Sequence, residues 1–74
     1  MKPRTRSTYD FIRVYYDEFG IAPTMREIKN GTGISSTSVV SCHIRKLMAE
    51  GLVKRIHGRS TARNIIPANI QELP

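Results

Sequence analysis

The sequence predicts a small, mostly α-helical domain that ends in a β-hairpin, and three observations support this prediction. Apolar residues recur at helical spacing in two long stretches, which lie around Ile12 and Ile44. Between them, a short segment begins with a helix-capping pattern and ends with glycines. After Gly51 the apolar period shortens to two, which is typical of a strand.

The first helix is predicted to begin at about Thr5 or Ser7 and to end at Phe19, before Gly20. Its apolar stripe consists of Thr8, Tyr9, Phe11, Ile12, Tyr15, Tyr16 and Phe19. Because the tyrosines share this stripe, we expect them to pack in the core rather than to form a platform on which bases stack.

A second, short helix is predicted to begin at Met25. Thr24 and Glu27 have the spacing of a capping box, in which each side chain satisfies the other residue's backbone N–H. The helix should end by Gly31 to Gly33, because glycine is a poor residue for a helix interior. The preceding segment Ile21-Ala22-Pro23 is too short for a helix and fits a short edge strand.

The third helix, from Ser36 to Glu50, has one apolar face and one polar face. Val40, Ile44 and Leu47 share a narrow arc, and His43 lies at its edge as a packing residue. The opposite arc contains Ser38, Ser41, Cys42, Arg45, Lys46 and Ala49. That arc carries two cations and no acid, which indicates contact with an anionic partner.

The ends of this helix are marked by residues suited to capping. The hydroxyl of Ser36 can accept a backbone N–H at the start, and Gly51 with Leu52 suits a left-handed cap closed by an apolar contact. Together with the second helix and its glycine-containing connection, this helix forms a helix-turn-helix pattern.

A basic hairpin follows the third helix. Residues 52–57 alternate as a strand, Gly58 to Thr61 form a turn, and Ala62 to Ile66 form a returning strand closed by Pro67. The predicted architecture is a winged helix-turn-helix of three helices with a two- to three-stranded antiparallel sheet. We assign residues 1–66 to this domain and residues 67–74 to a flexible tail.

The charge distribution points to nucleic acid. The chain has 12 basic and 6 acidic residues, and its formal net charge is +6. Lys2, Arg4 and Arg6 crowd the start. The basic residues of the second half are Arg45, Lys46, Lys54, Arg55, Arg59 and Arg63. A solvated surface would explain isolated charges, but their concentration on one helix face and one hairpin favours phosphate contact.

Composition argues against several other classes of protein. With 74 residues, a large enclosed active site is not expected. Cys42 is the single cysteine, and the side chain of the adjacent His43 points about 100° away from it on a helix, so the two cannot readily share a metal ligand site or a catalytic role. We therefore expect no metal site and no catalysis. We also expect no cofactor and no small-molecule substrate. No apolar run reaches the ~20 residues of a membrane span, so a cytoplasmic protein is expected.

Several segments together resemble the N-terminal DNA-binding domain of the LexA repressor, between about Thr5 and Ile66. They are Asp10-Phe11-Ile12-Arg13, Gly20-Ile21-Ala22-Pro23-Thr24 with Arg26-Glu27-Ile28, Gly33-Ile34-Ser35-Ser36, His43-Ile44 with Leu47, Gly51-Leu52, and Gly58-Arg59-Ser60. The resemblance implies that the third helix enters the DNA major groove and that the wing, Gly58 to Thr61, approaches the backbone or minor groove. It also implies base contacts from Ser36, Ser38, Val39, Ser41 and Cys42.

Three features depart from that family. Gly31 and Thr32 stand where it usually has better helix formers and an apolar residue. The outward residues of the third helix are short where LexA carries an amide and acids, so the family's operator is not carried over. The 74 residues contain no counterpart of the protease and dimerisation domain, so self-cleavage is not expected.

The sequence therefore predicts a transcription regulator, most simply a repressor, that binds double-stranded DNA and pairs with a second copy on inverted-repeat sites. An interaction module of the same fold that binds a protein partner is the alternative. A basic nuclease is a third possibility, which the missing cluster of acids and histidines argues against.

Overall fold

The computed structural model describes residues 2–56 and 64–68. Its elements are α1 (Pro3–Phe19), α2 (Met25–Thr32), α3 (Thr37–Ala49), β1 (Val53–Arg55) and β2 (Ile65–Pro67). The strands pair antiparallel in a two-stranded sheet, with Lys54 opposite Ile66. Three helices and a small antiparallel sheet confirm the predicted fold class, a winged helix-turn-helix.

Helix α1 begins earlier than the sequence predicted, at Pro3 rather than at Thr5 or Ser7. Proline suits the first turn because its backbone angle is already helical and its missing N–H would have no partner there. Lys2 is extended, and its carbonyl accepts the N–H of Arg6 at 3.0 Å. The extra turn therefore includes Arg4, and Lys2 directly precedes it as the N-cap residue.

Helix α2 begins at Met25 as predicted, and its capping box is confirmed. The Glu27 N–H donates to Thr24 Oγ1 at 3.1 Å, and the Thr24 N–H donates to Glu27 Oε1 at 2.8 Å. The prediction of an edge strand at residues 21–23 is wrong, because the described residues form strands only at β1 and β2. Ala22 and Pro23 are instead buried.

Gly31 lies inside the last turn of α2, which continues to Thr32 and closes at Gly33 with φ 76°. A Cβ atom at Gly31 would overlap the ring of Phe11 on α1. The glycine therefore allows α1 and α2 to approach closely, and this gain offsets its poor helix propensity.

The sequence predicted that the third helix runs from Ser36 to Glu50, and these two residues are the N-cap and the C-cap of α3. Ser36 Oγ accepts a first-turn N–H at 3.3 Å. Gly51 has φ 75°, and the next N–H, that of Leu52, donates to the carbonyl of Leu47 at 3.0 Å. This is the hydrogen-bond pattern of a Schellman motif.

The core joins the three helices to both strands. Its buried members are Tyr9, Ile12, Ile28, Ile34, Val40, Ile44, Leu47, Val53 and Ile65. The prediction that the tyrosines pack inward is confirmed for Tyr9, whereas Tyr15 and Tyr16 are only half-buried. The Tyr15 hydroxyl donates to Glu27 Oε2 at 3.1 Å, and this bond links α1 to the start of α2.

Strand β2 differs from its predicted limits of Ala62 to Ile66. Pro67 is buried and lies opposite Val53 inside the strand, one residue beyond the predicted end of the domain. A proline is tolerated at a strand position whose nitrogen makes no ladder bond. The Ala68 N–H donates to the Leu52 carbonyl at 2.9 Å and closes the end of the sheet. The predicted turn at residues 58–61 and tail residues 69–74 lie outside the described residues.

Candidate nucleic-acid interface

Helix α3 presents a continuous exposed surface opposite its core face. We call this surface the outer stripe, and it consists of Ser38, Val39, Cys42, Arg45 and Lys46. Val40, Ile44 and Leu47 on the other side are almost completely buried, at 0%, 2% and 0% exposure. The division between the two faces follows the sequence prediction, and the stripe contains two cations and no carboxylate.

Ser36 and Ser41, the other predicted base-contacting residues of this helix, are less exposed. Both are half-buried. The Oγ of Ser36 already accepts the capping N–H, which leaves its own O–H free to donate. Ser41 opens instead onto a hollow beside the helix.

That hollow, which we call the wing-side groove, has a volume of about 590 Å³ and lies between the starts of α2 and α3 and the two strands. Its polar lining residues are Thr24, Arg26, Thr37, Ser38, Ser41, Arg55 and Asn64. The fold therefore brings Arg55 of β1 to the same concave surface as Ser38 and Ser41 of α3.

Sequence reasoning did not select Thr24, Arg26 or Asn64 as functional residues. Arg26 is exposed in the first turn of α2. In helix-turn-helix proteins the first helix crosses the DNA backbone, so the position of this cation in the motif was an available signal. For Asn64 no such signal existed, because its place beside α3 depends on the register of β2.

The predicted basic residues of the hairpin are only partly described. Lys54 is half-buried, and Arg55 is exposed and lines the wing-side groove. Consecutive strand residues point to opposite faces, so these two side chains leave the sheet in different directions. Arg59 and Arg63 lie outside the described residues.

On the other side of α3, His43 packs against the first turn of α1. It is 8% exposed, and its Nδ1 lies 2.9 Å from the Oγ1 of the buried Thr5. This confirms the prediction that His43 packs at the core edge. Burial lowers the pKa of His43, and the positive charges of Lys46, Arg4 and Lys2 lower it further.

An open cleft of about 310 Å³, which we call the amino-terminal cleft, lies beside this contact. It is lined by Lys2, Thr5, Lys46, Leu47, Ala49 and Glu50. The outer stripe is thus bordered by the wing-side groove near its start and by the amino-terminal cleft near its end.

The acids of the described residues do not form a cluster. Asp10 pairs with Arg6 at 3.5 Å on the exposed side of α1, and Glu27 belongs to the α2 cap. Within residues 2–56 and 64–68, no group of three or more His, Cys, Asp or Glu residues could hold a metal ion. None of the described helices is both long and apolar enough to span a bilayer.

The comparisons with known proteins all lead to one family. The family model described as the LexA DNA binding domain matches residues 1–62. A LexA repressor from Clostridium botulinum is 38% identical over 63 residues, which are 85% of this chain and 31% of that protein. The corresponding identities are 36% for a LexA repressor from Koribacter versatilis and 40% for one from Limosilactobacillus fermentum, each over 63 residues.

Each of the latter two matches covers 85% of this chain and 30% of the relative. The chain therefore spans about a third of the length of these curated relatives and corresponds to one part of them. On this evidence, the chain belongs to the LexA DNA-binding domain family.

Proposed function

We propose that this chain binds double-stranded DNA sequence-specifically, as the DNA-binding part of a LexA-like transcriptional repressor, with the outer stripe of α3 in the major groove. The observation that carries the proposal is the stripe itself. It is exposed, it contains two cations without an acid, and it borders a concave surface that exposes two further cations, Arg26 and Arg55.

Base recognition is assigned to the short side chains of α3. The hydroxyls of Ser38 and Ser41 can donate to or accept from base edges, and Val39, which is 37% exposed, suits the methyl group of thymine. The resemblance adds Ser36 and Cys42 to this set. Ser36 is the N-cap residue of α3 and the others lie on its first half, which is the part that reads bases in helix-turn-helix proteins.

Backbone contact is assigned to basic residues of the outer stripe, of α2 and of the predicted hairpin. These are Arg26, Arg45, Lys46, Lys54, Arg55, Arg59 and Arg63. Arg26 and Arg55 both line the wing-side groove, where their guanidinium groups can donate to phosphate oxygens. The net charge of +6 attracts DNA of any sequence and aligns the protein before the bases are read.

Selective binding is expected to need two copies. A single module of this size buries only ~600–1,000 Å² on DNA, which gives limited selectivity. We propose that two copies occupy half-sites in inverted repeat, spaced by about one or more helical turns.

The proposal is tested by selecting bound sequences from a random duplex pool and then measuring the affinity for the selected duplex as a function of salt concentration. With about five or six phosphate contacts, the log–log slope of affinity against salt should be near −5. Binding that selects no sequence and does not respond to salt would reject DNA binding and favour a protein partner on the same face.

A further inference from the structure

The amino-terminal cleft brings together cations that are distant in sequence. Lys2, which precedes α1, and Lys46 of α3 both line it. Arg4 is exposed on the first turn of α1 and, with those two lysines, is close enough to affect the buried His43. Lys2 is the N-cap residue of α1, and its side chain accepts no hydrogen bond from the first N–H groups of that helix.

The positive charges at this corner exceed the negative ones. Glu50 is the one acid that lines the cleft within the described part of the chain, and Lys2 and Lys46 line the cleft with it. The next cation along α1, Arg6, is already paired with Asp10. Cations thus outnumber acids at this corner, and an anion bound there would reduce the repulsion between them.

The position of the cleft relative to the outer stripe indicates which kind of anion the cleft would bind. Lys46 belongs to the stripe and lies one helical turn after Cys42, whereas Ser38 and Ser41 open into the wing-side groove. The stripe therefore runs between two basic surfaces. A major groove about 12 Å wide is likewise bordered by two phosphate backbones.

We propose that Lys2 and Arg4, together with Lys46, bind a DNA backbone phosphate on the side of the major groove opposite the wing. The start of α1 is then a second backbone clamp, and α3 is held from both sides. This inference rests on the proposed function, because it presumes that α3 enters the groove.

The test compares two double variants that lose the same charge from the same helix. Lys2→Gln with Arg4→Gln removes the proposed clamp, and Arg6→Gln with Arg13→Gln removes two cations that line neither hollow. Each lost phosphate contact lowers the magnitude of the salt slope by about 0.9, and the proposed clamp holds one phosphate, so the slope of the first variant should be smaller by about one unit. The control variant should keep the slope of the parent.

His43 gives a second readout, which is compared between the parent protein and the Lys2→Gln, Arg4→Gln variant. A phosphate at the cleft would offset the cations that lower its pKa, so the pKa of His43, followed by proton NMR, should rise when a random-sequence 20-base-pair duplex is added. In the Lys2→Gln, Arg4→Gln variant, this rise should be smaller.

The outcomes separate the inference from the proposed function. If the parent protein does not bind the duplex, both fail. If the parent binds with a steep salt slope but the two double variants have equal slopes, the clamp is overturned and the α3 proposal stands. An unchanged His43 pKa on saturation with DNA would also overturn the clamp.

Discussion

Replacing Gly31 with alanine should change the free energy of unfolding in two ways, through helix propensity and through packing, and these two effects have opposite signs. Gly31 has an ordinary helical φ, so alanine introduces no backbone strain there and should stabilise an exposed helix by up to ~1 kcal/mol. The new Cβ, however, would overlap Phe11 Cε2 and lie 2.5 Å and 2.7 Å from ring atoms Cδ2 and Cζ. Overpacking of this kind costs ~1–3 kcal/mol.

The Phe11 ring cannot move aside freely. It packs against the core, and its centroid lies 5.8 Å from that of Tyr15, which itself contacts Phe19. We therefore expect Gly31→Ala to lower the free energy of unfolding by about 1–2 kcal/mol, with overpacking exceeding the gain in propensity.

Urea denaturation of a double-mutant cycle checks this reasoning. In a Phe11→Leu background the ring is absent, so Gly31→Ala should be neutral or stabilising by up to ~1 kcal/mol. The difference between the two backgrounds is the cost of the overlap. If Gly31→Ala stabilised the parent protein as much as it stabilised the Phe11→Leu variant, the close approach of α1 and α2 would not explain this glycine.

Three further predictions concern single groups. Burial and nearby cations hold the pKa of His43 below its ordinary value, so the unfolded state binds the proton more readily than the folded state does. The melting temperature should therefore be highest above pH ~6.5 and should fall as the pH drops from there to the pKa of the folded state. In His43→Gln this pH dependence should be absent. Ser38→Ala should cost ~1–3 kcal/mol of DNA binding at one base position, measured on duplexes that differ at that position, and leave the melting temperature unchanged. Ile44→Ala, at 2% exposure, should cost ~2–5 kcal/mol of stability in denaturant titrations, and a loss below 1 kcal/mol would contradict its place in the core.

Features set by neighbours in sequence could be predicted. The capping box of α2, the caps of α3 and the division of α3 into two faces all depend on residues within one or two helical turns. The early start of α1 was missed because the apolar stripe begins later than the helix, although Pro3 was itself a start signal.

Features set by contacts between distant segments could not be predicted. Gly31 was interpreted as a weak helix former, since its role depends on a ring that lies 20 positions earlier in the sequence. The bond between Thr5 and His43 spans 38 positions, and neither residue type indicates the other as its partner. Asn64 lines the wing-side groove because of the way in which β1 and β2 pair. The alternation of apolar residues predicted other limits for β2 and did not indicate this position.

The short side chains of the outer stripe have a consequence for how DNA would be read. Serine, valine and cysteine extend little beyond the helix backbone, so α3 reaches base edges only if its axis lies deep in the major groove. The width and flexibility of the duplex then limit binding as much as the bases do. Pyrimidine–purine steps, which deform easily, should therefore improve affinity even at positions that no side chain contacts.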